Sequence, residues 1–154
     1  MINLMFHDDW EIYGDGTGDD RFFTCFYGIL DTEHHTFTYC NAGHDYPILI
    51  SSSNGVERLQ TGDLILGMFD EYCYNERAVK LKAGSLLVLY SDGVTEARNG
   101  TEYEFGEDRL LQLITKHRDA PAGVLIKHIV SAIYEFTGNA PQQDDITLIV
   151  LKRS

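Results

Sequence analysis

The chain has 154 residues, 44% of them hydrophobic, and a formal net charge of −12 from 12 Lys and Arg against 24 Asp and Glu. That length supports one domain with a real core. An acidic balance without any basic patch excludes nucleic acid and anionic membrane surfaces as partners, and suits a solvated surface or a site that collects divalent cations.

The opening MINLMFHDDW lacks the basic-then-apolar order of a signal peptide, and no run of about 18 apolar residues is present to span a bilayer. The chain is therefore expected to be cytoplasmic. Its three cysteines, Cys25, Cys40 and Cys73, are odd in number and widely spaced, so they read as reduced core residues rather than a disulfide framework.

In chain order, Ile2, Met5 and Phe6 fit the last turns of a helix, and the Gly- and Asp-rich stretch from Gly14 to Asp20 fits a loop. Residues 22–30 are dense in aromatic and β-branched side chains, and Thr36 to Cys40 alternates after a polar connection; together they predict a hairpin. Tyr46 to Ile50 and Val56 to Leu59 predict a second hairpin across Asn54-Gly55. Tyr72 to Leu81 predicts a further strand, and Ser85 to Tyr90 one that is buried on both faces.

The period then changes. Leu110, Leu113, Ile114 and His117 fall on one helical face, as do Leu125, Ile126, Ile129, Ile133 and Phe136, with Pro121 placed to start the second helix and Gly138 to stop it. Ile146 to Leu151 predicts a closing, fully buried strand. An antiparallel first half, two helices and a returning strand make an α+β layered domain.

Two carboxylate groups stand at the ends of the most apolar strands: Asp92-Gly93 after Ser85–Tyr90, and Asp144-Asp145 before Ile146–Leu151. If those strands are antiparallel neighbours, Asp92 and Asp144 reach the same sheet edge, and carboxylate oxygens suit Mg²⁺ or Mn²⁺. By spacing alone the plainer account is a turn at Asp92-Gly93 and a cap at Asp144. Cys40 and His44, with His34-His35 nearby in sequence, raise zinc as a competing ion, but the spacing fits no closed four-ligand pattern. Ser91 lacks the flanking glycine of a nucleophile elbow and a His placed to act as its base. The stretch from Gly14 to Asp20 has Asp20 where a calcium loop needs glycine, and it lacks the lysine of a phosphate cradle.

Six segments in order, RFFTCFYGILD, YCNAGHDYPILI, LILG, GSLLVLYSDGVTEARNG, FGEDRLLQLI and QQDDITLIVLKR, resemble the C-terminal part of a SpoIIE/RsbU-type phosphatase, within the metal-dependent PPM (type 2C-like) serine/threonine phosphatases. The resemblance runs from about Arg21 to Arg153, with residues 1–20 as a poorly defined lead-in to a single domain over 1–154. It implies a sandwich of two antiparallel sheets flanked by helices. It further implies Asp92 and Asp144 as metal ligands, with Asp145 and Thr147 beside the site, Gly93 in the same turn and Asn41 to His44 at its margin.

The chemistry implied is phosphoserine or phosphothreonine hydrolysis by water activated on two Mn²⁺ or Mg²⁺ ions, with no catalytic side-chain nucleophile. The implied substrate is a regulatory protein of the anti-sigma-factor antagonist type, with a sensor or receiver domain often fused upstream. The family also carries an upstream GDVSGKG-like segment whose aspartate bridges both metals. The Gly14–Asp20 stretch matches it in composition but abuts the next strand, so that role is not carried to Asp15. The expectation is an N-terminally incomplete domain with low stability or self-association, and the alternative is a catalytically inactive interaction module.

Overall fold

The computed structural model describes residues 23–53, 55–60, 62–67, 72–101 and 103–154. The expectations for the helical turns near Ile2 and for the Gly14–Asp20 loop lie outside the described residues. The described chain divides into two compact units, each built on its own antiparallel sheet.

The first unit contains β1 (Cys25–Asp31), β2 (Thr36–Ala42) and β5 (Arg77–Lys80), paired in the order β1-β2-β5. The alternation predicted for β2 is real: Phe37, Tyr39 and Asn41 are buried on one face. Phe26 of β1 stacks with Phe37 and Tyr39 at ring-centroid separations of 6.2 and 5.3 Å. Gly28 makes this possible, because a Cβ there would lie only 2.7 Å from Cε2 of Phe37. The β1–β2 connection is organised by Asp31, whose Oδ1 accepts the N–H groups of Glu33 and His34 at 2.9 and 2.8 Å.

Tyr72 to Leu81 was expected as one strand, yet only Arg77–Lys80 pairs. The Asp63 carboxylate takes over the stretch before it, accepting the Asn75 backbone N–H at 2.7 Å, the Asn75 amide at 3.0 Å and the Tyr72 hydroxyl at 2.9 Å. A backbone donor spent on a side chain is not available to a ladder.

The second unit contains β3 (Ile48–Ile50), β4 (Val56–Arg58), β6 (Leu86–Tyr90) and β7 (Leu148–Lys152), in the order β4-β3-β6-β7. It also holds α1 (Asp92–Thr95), α2 (Glu107–Lys116) and α3 (Ala122–Thr137). Ile48, Ile50, Leu86, Val88 and Tyr90 from the sheet meet Leu110 and Ile114 of α2 and Leu125, Ile129 and Ile133 of α3 in one core. The i, i+4 spacing read from the sequence is what delivers the helical half of that core.

Pro121 precedes the first turn of α3, and Gly138 closes it at φ 57° with its N–H bonded to the Tyr134 carbonyl at 2.9 Å. β6 is nearly all buried, as expected, whereas β7 is only half-buried. Among the described residues β7 is the last strand in its sheet order, so it lacks a neighbour on one side. The α+β class and the two antiparallel sheets predicted from the sequence are both observed.

Candidate functional site

β6 and β7 pair antiparallel with Tyr90 opposite Leu148, so the segments leaving one and approaching the other run side by side. The pairing continues past the strands: the Ser91 N–H donates to the Thr147 carbonyl at 3.1 Å. The Ser91 hydroxyl then bridges the two segments, donating to the Asp145 carbonyl at 3.0 Å and accepting the Thr147 N–H at 3.0 Å. Ser91 is thus a bridge between segments and not a nucleophile, a role that no motif in the sequence marks. Its position directly after one buried strand and opposite the approach to another was the available signal.

Asp92 does not sit in a simple turn; it opens the four-residue helix α1. Gly93, expected in a turn, is the second residue of that helix. Gly93 lies against the backbone of the 144–145 segment, where an added Cβ would be 2.9 Å from the Asp145 carbonyl carbon and 3.4 Å from that of Asp144, with the Asp145 carbonyl oxygen nearer still. Only a residue without Cβ permits that approach.

Asp92, Asp144 and Asp145 are exposed and Gly93 is buried beneath them. Asp92 Oδ1 accepts the Gly93 N–H at 2.8 Å, and Asp144 Oδ1 accepts the Asp145 N–H at 2.7 Å. Each bond fixes one oxygen of its carboxylate and leaves Oδ2 outside any hydrogen bond among the described residues. The donor set is all carboxylate oxygen, which fits a hard divalent cation and not a thiophilic one. The described residues contain no group of three or more His, Cys, Asp and Glu able to hold a metal. Thr147 follows directly in the same segment, its N–H spent on Ser91.

The other expected margin residues, Asn41 and His44, belong to the first unit. Asn41 is fully buried, and its side chain is occupied locally: Nδ2 donates to the His44 carbonyl at 2.8 Å and Oδ1 accepts the His44 N–H at 2.7 Å. Asn41 thus shapes the Gly43-His44 turn. The zinc alternative at Cys40 and His44 gains no third ligand among the described residues. Burial, with the nearby charges of Asp63 and Glu76, raises the Cys40 thiol pKa and disfavours the thiolate that zinc needs.

The tyrosine that ends β6 anchors the same region from below. Tyr90 donates to Glu107 Oε2 at 3.4 Å, and Glu107 Oε1 takes the Arg58 Nε–H at 2.6 Å, tying β4 to the start of α2. Burial, followed by the Glu107 and Asp45 charges, raises the Tyr90 pKa, so the phenol stays protonated.

A family model described as Stage II sporulation protein E (SpoIIE) matches residues 8–154. The phosphoserine phosphatase RsbU of Bacillus subtilis (strain 168) is 37% identical over 134 residues, covering 86% of this chain and 39% of RsbU. Protein IcfG of Synechocystis sp. is 34% identical over 134 residues, covering 86% of this chain and 21% of its own length. Among solved structures, the SiaA-PP2C domain of Pseudomonas aeruginosa superposes with a TM-score of 0.74 at 22% identity, over 85% of this chain and 52% of that one. The Mn-presoaked phosphatase domain of SpoIIE from Bacillus subtilis superposes with a TM-score of 0.59 at 19% identity, over 84% and 56%. The structural likenesses carry the fold, and the chain spans well under half the length of these curated relatives.

Proposed function

The chain belongs to the SpoIIE family, and from that premise we propose that it forms the C-terminal part of a metal-dependent protein phosphatase acting on phosphoserine or phosphothreonine. The observation that carries this reading is the backbone contact at Gly93, which holds the segment bearing Asp144 against the helix opened by Asp92. Asp92 and Asp144 would hold one Mn²⁺ or Mg²⁺ ion through the oxygens that their own backbone does not use. When bound, such ions lower the pKa of water and neutralise phosphate charge.

The chain's own residues supply placement. Ser91 fixes the separation of the two segments, Gly93 sets their depth, and the backbone N–H groups of Gly93 and Asp145 orient the carboxylates. The substrate would be a phosphorylated regulatory protein of the anti-sigma-factor antagonist type, in keeping with the phosphoserine phosphatase named among the relatives.

A second reading, an interaction module without chemistry, is favoured by one observation: the described residues bring together fewer than three metal-ligating side chains. One assay separates the two. The longest natural polypeptide carrying this chain is expected to release phosphate from a phosphoserine protein only with Mn²⁺ or Mg²⁺. Asp92→Asn should lower that rate by more than about 100-fold, since even residues behind metal ligands are worth about 10–100-fold. Equal release by wild type and Asp92→Asn would remove the phosphatase reading.

A further inference from the structure

Beside the carboxylate pair lies a cavity of about 360 Å³ that the proposed chemistry does not use. Gly93, Asp144 and the apolar Ala97, Ile133 and Ile146 are among its lining residues, with the Tyr134 ring and the polar Glu96 and Gln142. A second cavity of about 320 Å³ shares Arg98, Ala140, Pro141 and Gln143 with it and extends to Gly100 and Thr101. The two make one groove between the loop after α1 and the loop before β7, all within the second unit.

We propose that this groove binds the polypeptide flanking the phosphorylated residue of the substrate, and that an apolar side chain next to that residue packs against Ala97, Ile133 and Ile146. The inference rests on the phosphatase reading, because the occupant follows from continuity: Asp144 itself lines the groove. Consecutive Cα atoms are 3.8 Å apart, so a neighbour one or two residues from a phosphoserine whose phosphate sits on a cation at Asp144 is within reach of the groove. The volume falls in the range of pockets that enclose a ligand group.

The lining also decides what kind of side chain enters. Arg98 is ion-paired with Glu104, Nη2 to Oε1 at 2.6 Å, and the Glu96 and Asp144 carboxylates share the lining, so the groove does not call for an acidic substrate residue. Ile133 is 1% exposed and Tyr134 is 57% exposed, so the lining combines a core aliphatic residue with an accessible aromatic ring. Such a pocket is filled by a Leu, Ile, Val or Met side chain, with the tyrosine ring closing over it.

The test uses two fluorescein-labelled phosphoserine nonapeptides that differ only in having Leu or Ser next to the phosphoserine. Fluorescence anisotropy with the chain in Mn²⁺ is expected to show the Leu peptide binding about tenfold more tightly, the lower value for burying one such side chain. Ala140→Trp, which fills the groove, and Tyr134→Ala, an exposed change that leaves the core intact, should each erase that difference. Equal affinity of the two peptides for wild type, or a preference that survives both substitutions, overturns the proposal. In parallel, the longest natural polypeptide is assayed with p-nitrophenyl phosphate, which has no flanking chain. Absence of Mn²⁺-dependent hydrolysis there refutes the phosphatase reading alone, while the anisotropy result still decides the groove.

Discussion

Replacing Gly93 by Ala adds a single methyl group at the point where two backbones touch. The nearest carbon neighbours would be the Asp145 and Asp144 carbonyl carbons at 2.9 and 3.4 Å. Carbon atoms rest at about 3.5–4.0 Å, so the Asp145 segment or α1 must withdraw by roughly 0.6–1.1 Å. The obstacle is main chain and has no rotamer with which to give way. It is also pinned, because Ser91 Oγ holds both the Asp145 carbonyl and the Thr147 N–H.

Overpacking of this kind costs about 1–3 kcal/mol, which for a chain of this size lowers Tm by roughly 2–12 °C. The same displacement separates Asp92 from Asp144, and a misplacement near 1 Å is worth about 100-fold in catalysis. Differential scanning calorimetry gives the first quantity. Isothermal titration with Mn²⁺ reports the displacement separately, as weakened or lost metal binding. An Ala variant with unchanged Tm and unchanged Mn²⁺ affinity would refute the argument that this contact sets the carboxylate pair.

Gly123→Ala makes the matching control, since a Cβ there meets nothing within 4 Å and the residue lies in the first turn of α3; the expected result in a urea melt is a gain of about 0.4–1 kcal/mol. Ser91→Ala removes both hydrogen bonds of the bridging hydroxyl, and the expected loss is about 1–2 kcal/mol with a matching fall in Mn²⁺ affinity. Stability should also depend on His117, which stacks on His128 with ring centroids 4.1 Å apart. Partial burial, then the His128 and Lys116 charges, lowers its pKa below the ordinary 6.5. A depressed histidine contributes stability that is complete above 6.5 and is lost as pH falls through the lower folded value. The shifted carboxylates Asp31 and Asp63 act only below their ordinary 3.8, so the limb between is expected to flatten in His117→Phe when Tm is followed against pH.

The apolar run Leu86–Tyr90, the i, i+4 sets of α2 and α3, and the Pro121 and Gly138 boundaries were legible in the sequence because each is a local pattern that burial rewards directly. The same holds for the two acidic positions. Asp92 and Asp144 flank the two most apolar strands, and antiparallel pairing of those strands is enough to bring their ends together.

What local pattern left undecided is partnering across distance. Nothing near β2 states that it pairs with β5, or that β3 pairs with β6, because a strand's hydrophobic alternation fixes its faces and not its neighbours. Asp63 removing Asn75 from a strand, Ser91 bridging to Asp145 and Thr147, and Asn41 closing on His44 are likewise bonds whose partners only the folded chain selects. Gly93 shows the division most plainly. That a glycine follows the carboxylate is plain from the primary structure, where a turn accounts for it adequately; only the folded chain reveals that another stretch of backbone, 52 positions further on at Asp145, occupies the space a side chain would need.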